Sequence, residues 1–435
     1  MDEAPYAGGA PWGEIVARHP TLKTPQRARA VLAGDLDLLR PLHAAGVPTI
    51  LLLRKRQRFL RHSRIVSDWV DFPDPATEAD KAVEVLVDVA RGLNERPVLY
   101  YADDAMLSLV RRHRAKLESR YRFLMPADDI VLACGDKLRF AALAERASIP
   151  VPRTAPGERV RSADDVAAFG YPLVIKPGSH IGWFASEAVE IAGGKSRKIV
   201  VANDRQAFET LLAATRRSTD DFIVQEFIPG GEDQVYSFHA FVRPDGAPVA
   251  SFVGRKIRTY PALGGESSYI TLVRDFAIEK LGRETVRKLN LSGPVKIDFK
   301  RDLRTRRDYV LEINLRHNLW HQLGAVCGVN LMLIAHEFLT GAPASFVGDY
   351  RTDVRWLDIY GDLRAFLGDY RPAKIYTWKT YLASLKAPKV YHLFAWKDPL
   401  PLLLAALNFT KAAAAKLLRR ILARLRRERR CSDSQ

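Results

Sequence analysis

Apolar and polar residues alternate with period two over two neighbouring stretches, residues 295–300 and 309–316, with an arginine-rich segment between them. That period marks half-buried strands, and the polar segment suits an exposed hairpin loop. On the first strand Val295, Ile297 and Phe299 share one face, while Lys296, Asp298 and Lys300 share the other. On the second, Tyr309, Leu311, Ile313 and Leu315 point one way, and Glu312, Asn314 and Arg316 point together to the opposite side. If the two polar faces coincide, two carboxylates and an amide meet beside Lys296 and Arg316. Hard oxygen ligands of that kind suit magnesium, which takes further ligands from water and substrate phosphates. A solvated hairpin face with alternating charges would carry the same residues.

The remainder of the chain predicts two architectures in series. Residues 1–27 are rich in Gly and Pro and predict an irregular lead-in. Residues 28–149 alternate strand and helix patterns, with strands at 29–35, 48–53, 66–72 and 98–101 and helices at 36–45 and 78–92, which predicts an open α/β sheet. Ala33-Gly34-Asp35 lacks GxGxxG spacing, so that turn reads as structural. Pro150-Val151-Pro152 is a stiff connector and marks a domain boundary. Residues 150–342 are α+β. They contain a lysine-bearing strand ending in Val174-Ile175-Lys176-Pro177 and a small-residue segment, Gly178-Ser179-His180-Ile181-Gly182, where backbone amides can approach phosphate oxygens. Further along come an antiparallel pair at 236–243 and 248–253, a Gly-Gly-Glu-Ser-Ser loop at 264–268, and a helix at 322–339 closed by Gly341.

Composition narrows the setting. The 435 residues are 47% hydrophobic, which fits two or three globular domains and excludes a disordered chain. Cys134, Cys327 and Cys431 show neither an even count nor metal-ligand spacing, which argues against a disulfide framework and fits a reducing compartment. The acidic start, Met1-Asp2-Glu3, is unlike a signal peptide. No apolar run approaches the ~20 residues needed to cross a bilayer. The expected location is therefore cytoplasmic. Net charge is +17, favouring anionic partners. Residues 343–400 read as an unassigned extension, and 401–435 as a basic helical tail. At ~100° per residue Leu417, Leu418, Ile421, Leu422 and Leu425 form one apolar arc among lysines and arginines. Residues 402–430 thus have the composition of an amphipathic helix for an anionic membrane surface, which would place the protein peripherally at the inner membrane face; docking on its own domain or on a partner is equally compatible. Nucleic acid is disfavoured because the tail lacks interleaved aromatics.

Taken in order, these motifs resemble the ATP-grasp superfamily of carboxylate-amine and carboxylate-thiol ligases, which includes D-alanine-D-alanine ligase and biotin carboxylase, and within it the branch containing D-aspartate ligase. The resemblance covers roughly residues 28–342, and the order of the motifs is more specific than any one of them. It implies a pre-ATP-grasp α/β domain at 28–149 and an ATP-grasp domain at 150–342, divided into a lid at 150–230 and a metal-binding sheet at 231–342. Lys137 in Gly-Asp-Lys and Lys176 are similar to the two phosphate-binding lysines, with Ser179 in the loop that follows. The stretch Gln225-Glu226-Phe227-Ile228 resembles the hinge that holds adenine through the Glu226 C=O and Ile228 N–H. There Gln225 would take the exocyclic amine and Glu232 the ribose hydroxyls. Many hinges carry an acid where Gln225 stands. Lys256 resembles the γ-phosphate contact. Asp298, Glu312 and Asn314 match the metal triad for two Mg²⁺, with Mn²⁺ an alternative on the same oxygens. Arg316, and less strongly Lys296, would stabilise the acyl centre. Arg255, Arg258 and the 264–268 loop are candidates for receiving the acid.

The reaction so implied is ATP- and Mg-dependent ligation of a carboxylate to an amine through an acylphosphate, which needs charge neutralisation and positioning rather than a protein nucleophile. His239 and His180 are lone histidines and read as structural, and His317 with His321 lack a third ligand for zinc. Biotin-type carboxylation is the alternative within the superfamily, although no carrier segment is seen. A non-catalytic ATP-binding protein associated with membrane or nucleic acid is the alternative outside it. A dimer is compatible with all three.

Overall fold

The computed structural model describes residues 27–178, 183, 186–192, 198–343, 349–408 and 410. Among the described residues fifteen strands form three sheets. The first sheet holds β1 (Ala30–Ala33), β2 (Thr49–Leu53), β3 (Asp68–Asp71) and β4 (Val98–Tyr101), all parallel, in the order β3-β2-β1-β4. β1, β2 and β4 are buried along their whole length, as parallel strands covered on both faces must be. Two crossover helices were predicted here and both are present, Leu36–Ala44 and Ala79–Arg91. The strand order reverses between β1 and β4. Asp35 and Asp103 follow these strands and cap the next helices, accepting from Asp37 N at 3.0 Å and Met106 N at 2.9 Å.

The second sheet is small and antiparallel: β5 (Thr154–Pro156), β6 (Leu173–Pro177), β7 (Val200–Ala202) and β8 (Phe222–Glu226), in the order β5-β8-β6-β7. Its own core includes Ile175, Trp183, Phe208, Leu212 and Phe222.

The third sheet has seven strands: β9 (Val235–Val242), β10 (Pro248–Tyr260), β11 (Glu266–Val273), β12 (Gly293–Asp302), β13 (Arg307–Asn314), β14 (Arg355–Leu357) and β15 (Lys389–Tyr391). Their order is β13-β12-β9-β10-β11-β14-β15, antiparallel except for β14 with β15. The hairpin expected from the alternating pattern is β12-β13, with Asp298 opposite Glu312 and Lys296 opposite Asn314. A bulge between Asp298 and Phe299 restores the apolar register beyond the site.

Two expectations are corrected. The single helix at 322–339 is two, Trp320–Val326 and Leu331–Thr340, bent by 91°. Gly328, at φ +112°, turns the chain between them. β10 continues past residue 253 to Tyr260 and so carries Arg255 and Arg258. The extension is no appendage: β14 pairs with β11, and Arg258 is fully buried against Asp362, with both bonds at 2.8 Å. The rings of Tyr269, Tyr376 and Tyr381 lie 4.6, 5.1 and 4.9 Å from that guanidinium.

The two bent helices carry Trp320, Leu323, Leu331 and Met332 into a core shared by the first sheet's helix Leu36–Ala44 and the third sheet's Phe252 and Ile270. Tyr100 OH donates to Met332 O at 3.1 Å across that boundary. Arg40 donates to the carbonyls of Tyr391 and His392 at 2.6 and 2.8 Å, fastening the extension to the first domain. Among the described residues no single helix is long and apolar enough to cross a membrane, and the bent pair that passes by composition is packed in this core. Most of the basic tail, residues 411–435, lies outside the described residues.

Candidate active site

The three sheets close on one cleft of about 1150 Å³. Lys137, Lys176, Gln225, Glu226, Phe227, Ile228, Glu232, Lys256, Lys296, Asp298, Glu312, Asn314 and Arg316 all line it. Ser179 and His180 lie outside the described residues.

The floor is the β12-β13 hairpin. Asp298 is 2% exposed, and its Oδ2 accepts from Lys296 Nζ at 2.9 Å and Lys256 Nζ at 3.2 Å, while Ser237 donates to Oδ1. Burial alone would raise this carboxyl, but the two ammonium groups outweigh it and hold it far below the usual carboxylate range. Lys256 shows the converse: burial pulls it down, and Asp298 and Glu312 more than restore it. Asn314 Nδ2 donates to Glu312 Oε1 at 3.2 Å, which among the described residues leaves Asn314 Oδ1 and Glu312 Oε2 as open oxygen acceptors. This donor set fits magnesium: two carboxylates and an amide oxygen from adjacent strands, with lysines able to hand Asp298 over.

Two lysines approach from the other walls. Lys137 opens the helix Lys137–Arg146, whose cap Asp136 accepts from Leu138 N and Arg139 N, both at 2.9 Å. Its Nζ donates to Pro177 O at 2.5 Å, so it reaches the strand that carries Lys176. Lys176 Nζ donates to Gln225 Oε1 at 2.6 Å, and Gln225 Nε2 donates to Thr154 Oγ1 at 2.8 Å. Burial lowers the Lys176 amine from 10.5 to about 8, against the pull of Glu312 and with repulsion from Lys137. Glu226 turns its carboxylate outward to Arg153 Nε at 2.9 Å. Among the described residues the Ile228 N–H has no hydrogen-bond partner, so a donor is left at the strand end facing the cleft.

Sequence reasoning underrated Lys300. It lies on the face of Lys296 and Asp298, is 8% exposed, and donates to Gly230 O and Gly231 O, both at 2.6 Å. It therefore pins the turn, with Gly230 at φ +118°, that presents Glu232. The Glu232 carboxylate accepts from Thr259 Oγ1 at 2.8 Å and from Leu263 N at 2.5 Å. The alternating pattern did place Lys300 on the correct face; what it lacked was the partner.

Other candidates are placed differently. Arg316 lines the cleft, yet its guanidinium donates to Asp104 at 2.6 and 3.3 Å and to Ala102 O at 3.2 Å, clasping the turn after β4. Five N–H donors less these three bonds leave two without a partner among the described residues. Arg258 is corrected as an acid receptor, because it is sealed behind β10 with Asp362, and Arg255 does not line the cleft. Residues 264–267 do line it. His239 is fully buried, stacked at 4.7 Å on Phe252, and burial holds it neutral. His317 precedes the helix that holds His321, so they do not share a helical face; their rings lie 5.2 Å apart.

Three sheets around one cleft, with lysines on two walls and two carboxylates and an amide on the floor, form the ATP-grasp fold. No family model matches the chain. The D-aspartate ligase of Enterococcus faecium (strain Aus0004) is 23% identical over 254 residues, covering 56% of this chain and 59% of that protein. The chain thus spans less than two thirds of that curated relative's length. The L-amino acid ligase of Bacillus licheniformis is similar in fold, with TM-score 0.55 and 14% identity over 76% of this chain and 79% of its own. The biotin carboxylase domain dimer of Hydrogenobacter thermophilus 2-oxoglutarate carboxylase, in complex with MgADP, ADP and bicarbonate, matches with TM-score 0.55 and 14% identity over 76% and 74% of the two chains.

Proposed function

We propose that the protein is an ATP-dependent carboxylate-amine ligase. The observation that carries this reading is the convergence of Lys137, Lys176, Lys256 and Lys296 on the Asp298, Glu312 and Asn314 floor within one cleft. The 23% identical relative is named a D-aspartate ligase and one fold neighbour an L-amino acid ligase, which favours amino-acid substrates.

In this reading Lys137 and Lys176 bind the nucleotide's phosphates, and Lys256 the γ-phosphate. The Ile228 N–H and the Glu226 carbonyl hold adenine. When the Lys176 ammonium turns to phosphate, Gln225 Oε1 is released to accept the exocyclic amine. Glu232, steadied by Lys300, takes the ribose hydroxyls. Asp298, Glu312 and Asn314 hold Mg²⁺, which neutralises phosphate charge when bound; two ions, or Mn²⁺ in their place, suit the same oxygens. A carboxylate oxygen of the acid attacks the γ-phosphorus and ADP leaves, giving an acylphosphate. The amine nitrogen then attacks the acyl carbon, phosphate leaves, and the amine yields its proton. Lys296 and the two unengaged donors of Arg316 stabilise the tetrahedral oxyanion. Residues 402–430 hold the enzyme at an anionic membrane face.

The test is ADP formation with ATP, Mg²⁺ and pools of amino acids and amines, followed by product mass. The expected product is acid plus amine less one water, formed one for one with ADP. ADP formation dependent on bicarbonate and biotin instead would favour carboxylation.

A further inference from the structure

The extension buries Phe366, Tyr370 and Tyr381 but turns a second set of apolar residues outward. On the helix Ile359–Ala365 and its continuation Phe366–Tyr370, the exposed Ile359, Leu363 and Leu367 recur every four residues and share a face. On the helix Trp378–Ser384, Trp378 and Leu382 repeat that spacing at 47% and 57% exposure. Phe366 joins the two helices, its ring 4.8 Å from Trp378 and stacked at 4.1 Å on Tyr381. Trp396, 87% exposed, follows, and then Leu400, Leu403 and Leu407 along helical residues 400–408.

The charges on this region are sorted. Its three acids all face inward: Asp362 is buried against Arg258, Asp398 accepts from Ser63 and from the Arg64 N–H at 3.2 Å, and Asp369 accepts from the Ala262 N–H at 2.9 Å. Six cations face outward, Arg364, Arg371, Lys374, Lys379, Lys386 and Lys397, and among the described residues none is in an ion pair. Arg364 lies over the Tyr260 and Tyr360 rings and Arg371 over Trp378, at 4.5, 5.3 and 5.8 Å, contacts that leave their charge unneutralised. Exposed aliphatic and indole side chains among cations with no acidic partner have the composition of an interfacial surface. A second copy docking symmetrically would set these cations against their like. The chain's own tail, rich in arginine, brings more of the same sign.

We propose that residues 359–400 form a docking face for an anionic phospholipid bilayer, with Trp378, Leu382 and Trp396 entering the headgroup boundary and the six cations meeting lipid phosphates. This goes beyond the tail, because the residues that carry it lie upstream of the basic helix.

The test uses the full chain, tail included, in every form. Co-sedimentation is measured with vesicles of phosphatidylcholine alone and of phosphatidylcholine with phosphatidylglycerol. The parent pellets with the anionic vesicles only. Two variants, Trp378→Ser/Leu382→Ser/Trp396→Ser and Lys374→Glu/Lys379→Glu/Lys386→Glu, each bind them roughly tenfold or more weakly. Both keep vesicle-free ADP release, since none of these residues lines the cleft; the charge variant also keeps the parent melting temperature, while the aromatic variant, which loses the Trp378–Phe366 ring contact, melts lower but stays folded at the assay temperature. Parent and variants pelleting alike, or a parent that does not pellet, overturns the proposal. So does a concentration-dependent dimer, or binding to a single-stranded oligonucleotide, that the aromatic variant abolishes while vesicle binding persists.

Discussion

The Lys176 amine gives the cleft a measurable pH signature. It stands at about 8 because burial opposes its charge, while the triphosphate assigned to it binds only the ammonium form. Above that value nucleotide binding must take up a proton, so ATP affinity falls as pH rises. For one group titrating near 8, affinity weakens roughly tenfold between about pH 7 and 9. Lys176→Arg separates this group from its neighbours, because a guanidinium stays charged throughout and removes the slope while keeping a cation. Lys176→Gln should bind weakly and equally at all three of pH 7, 8 and 9. Calorimetric titration with ATP and Mg²⁺, without a second substrate, measures all three proteins. A parent whose affinity is flat across this range refutes the assignment. A slope that survives in Lys176→Arg moves it elsewhere, first to Lys300, whose amine burial also lowers to about 8.

Three further outcomes follow from the geometry. Glu312→Gln should cut ADP release by about a hundredfold or more, with an unchanged melting temperature because Glu312 is exposed. Lys300→Met removes two charge-assisted bonds from the Gly230-Gly231 turn and should cost about 1.5–3 kcal/mol in ATP affinity, seen as a raised KM for ATP with kcat much less changed. Asp362→Ala leaves Arg258 charged and buried without its partner. Denaturant unfolding should show a loss of about 3–5 kcal/mol, most of it recovered in Arg258→Met/Asp362→Leu.

What the sequence made legible follows from local period. Alternation in residues 295–300 and 309–316 assigns faces, so Lys296, Asp298, Lys300, Glu312 and Asn314 were grouped before any partner was known. β1, β2 and β4 were readable as apolar runs of strand length between the helical patterns of the two crossover helices. Contacts between distant positions leave no such trace. Arg258 and Asp362 are 104 positions apart, and Arg316 and Asp104 are 212 apart. An arginine destined for a sealed ion pair looks, in sequence, like one facing solvent. The extension escaped assignment because β14 has three residues and is a strand only by pairing with β11. The bend at Gly328 was hidden by apolar residues continuing on both sides of it.

The central claim is that a carboxylate is activated by phosphoryl transfer on the β12-β13 floor. Supplying amino acids labelled with ¹⁸O in the carboxylate, with ATP, Mg²⁺ and the amine pool, and weighing the released phosphate tests it most directly. The account predicts one carboxylate oxygen in each phosphate released, matched to ADP and to the condensed product. Phosphate carrying only oxygen from ATP and solvent would contradict it.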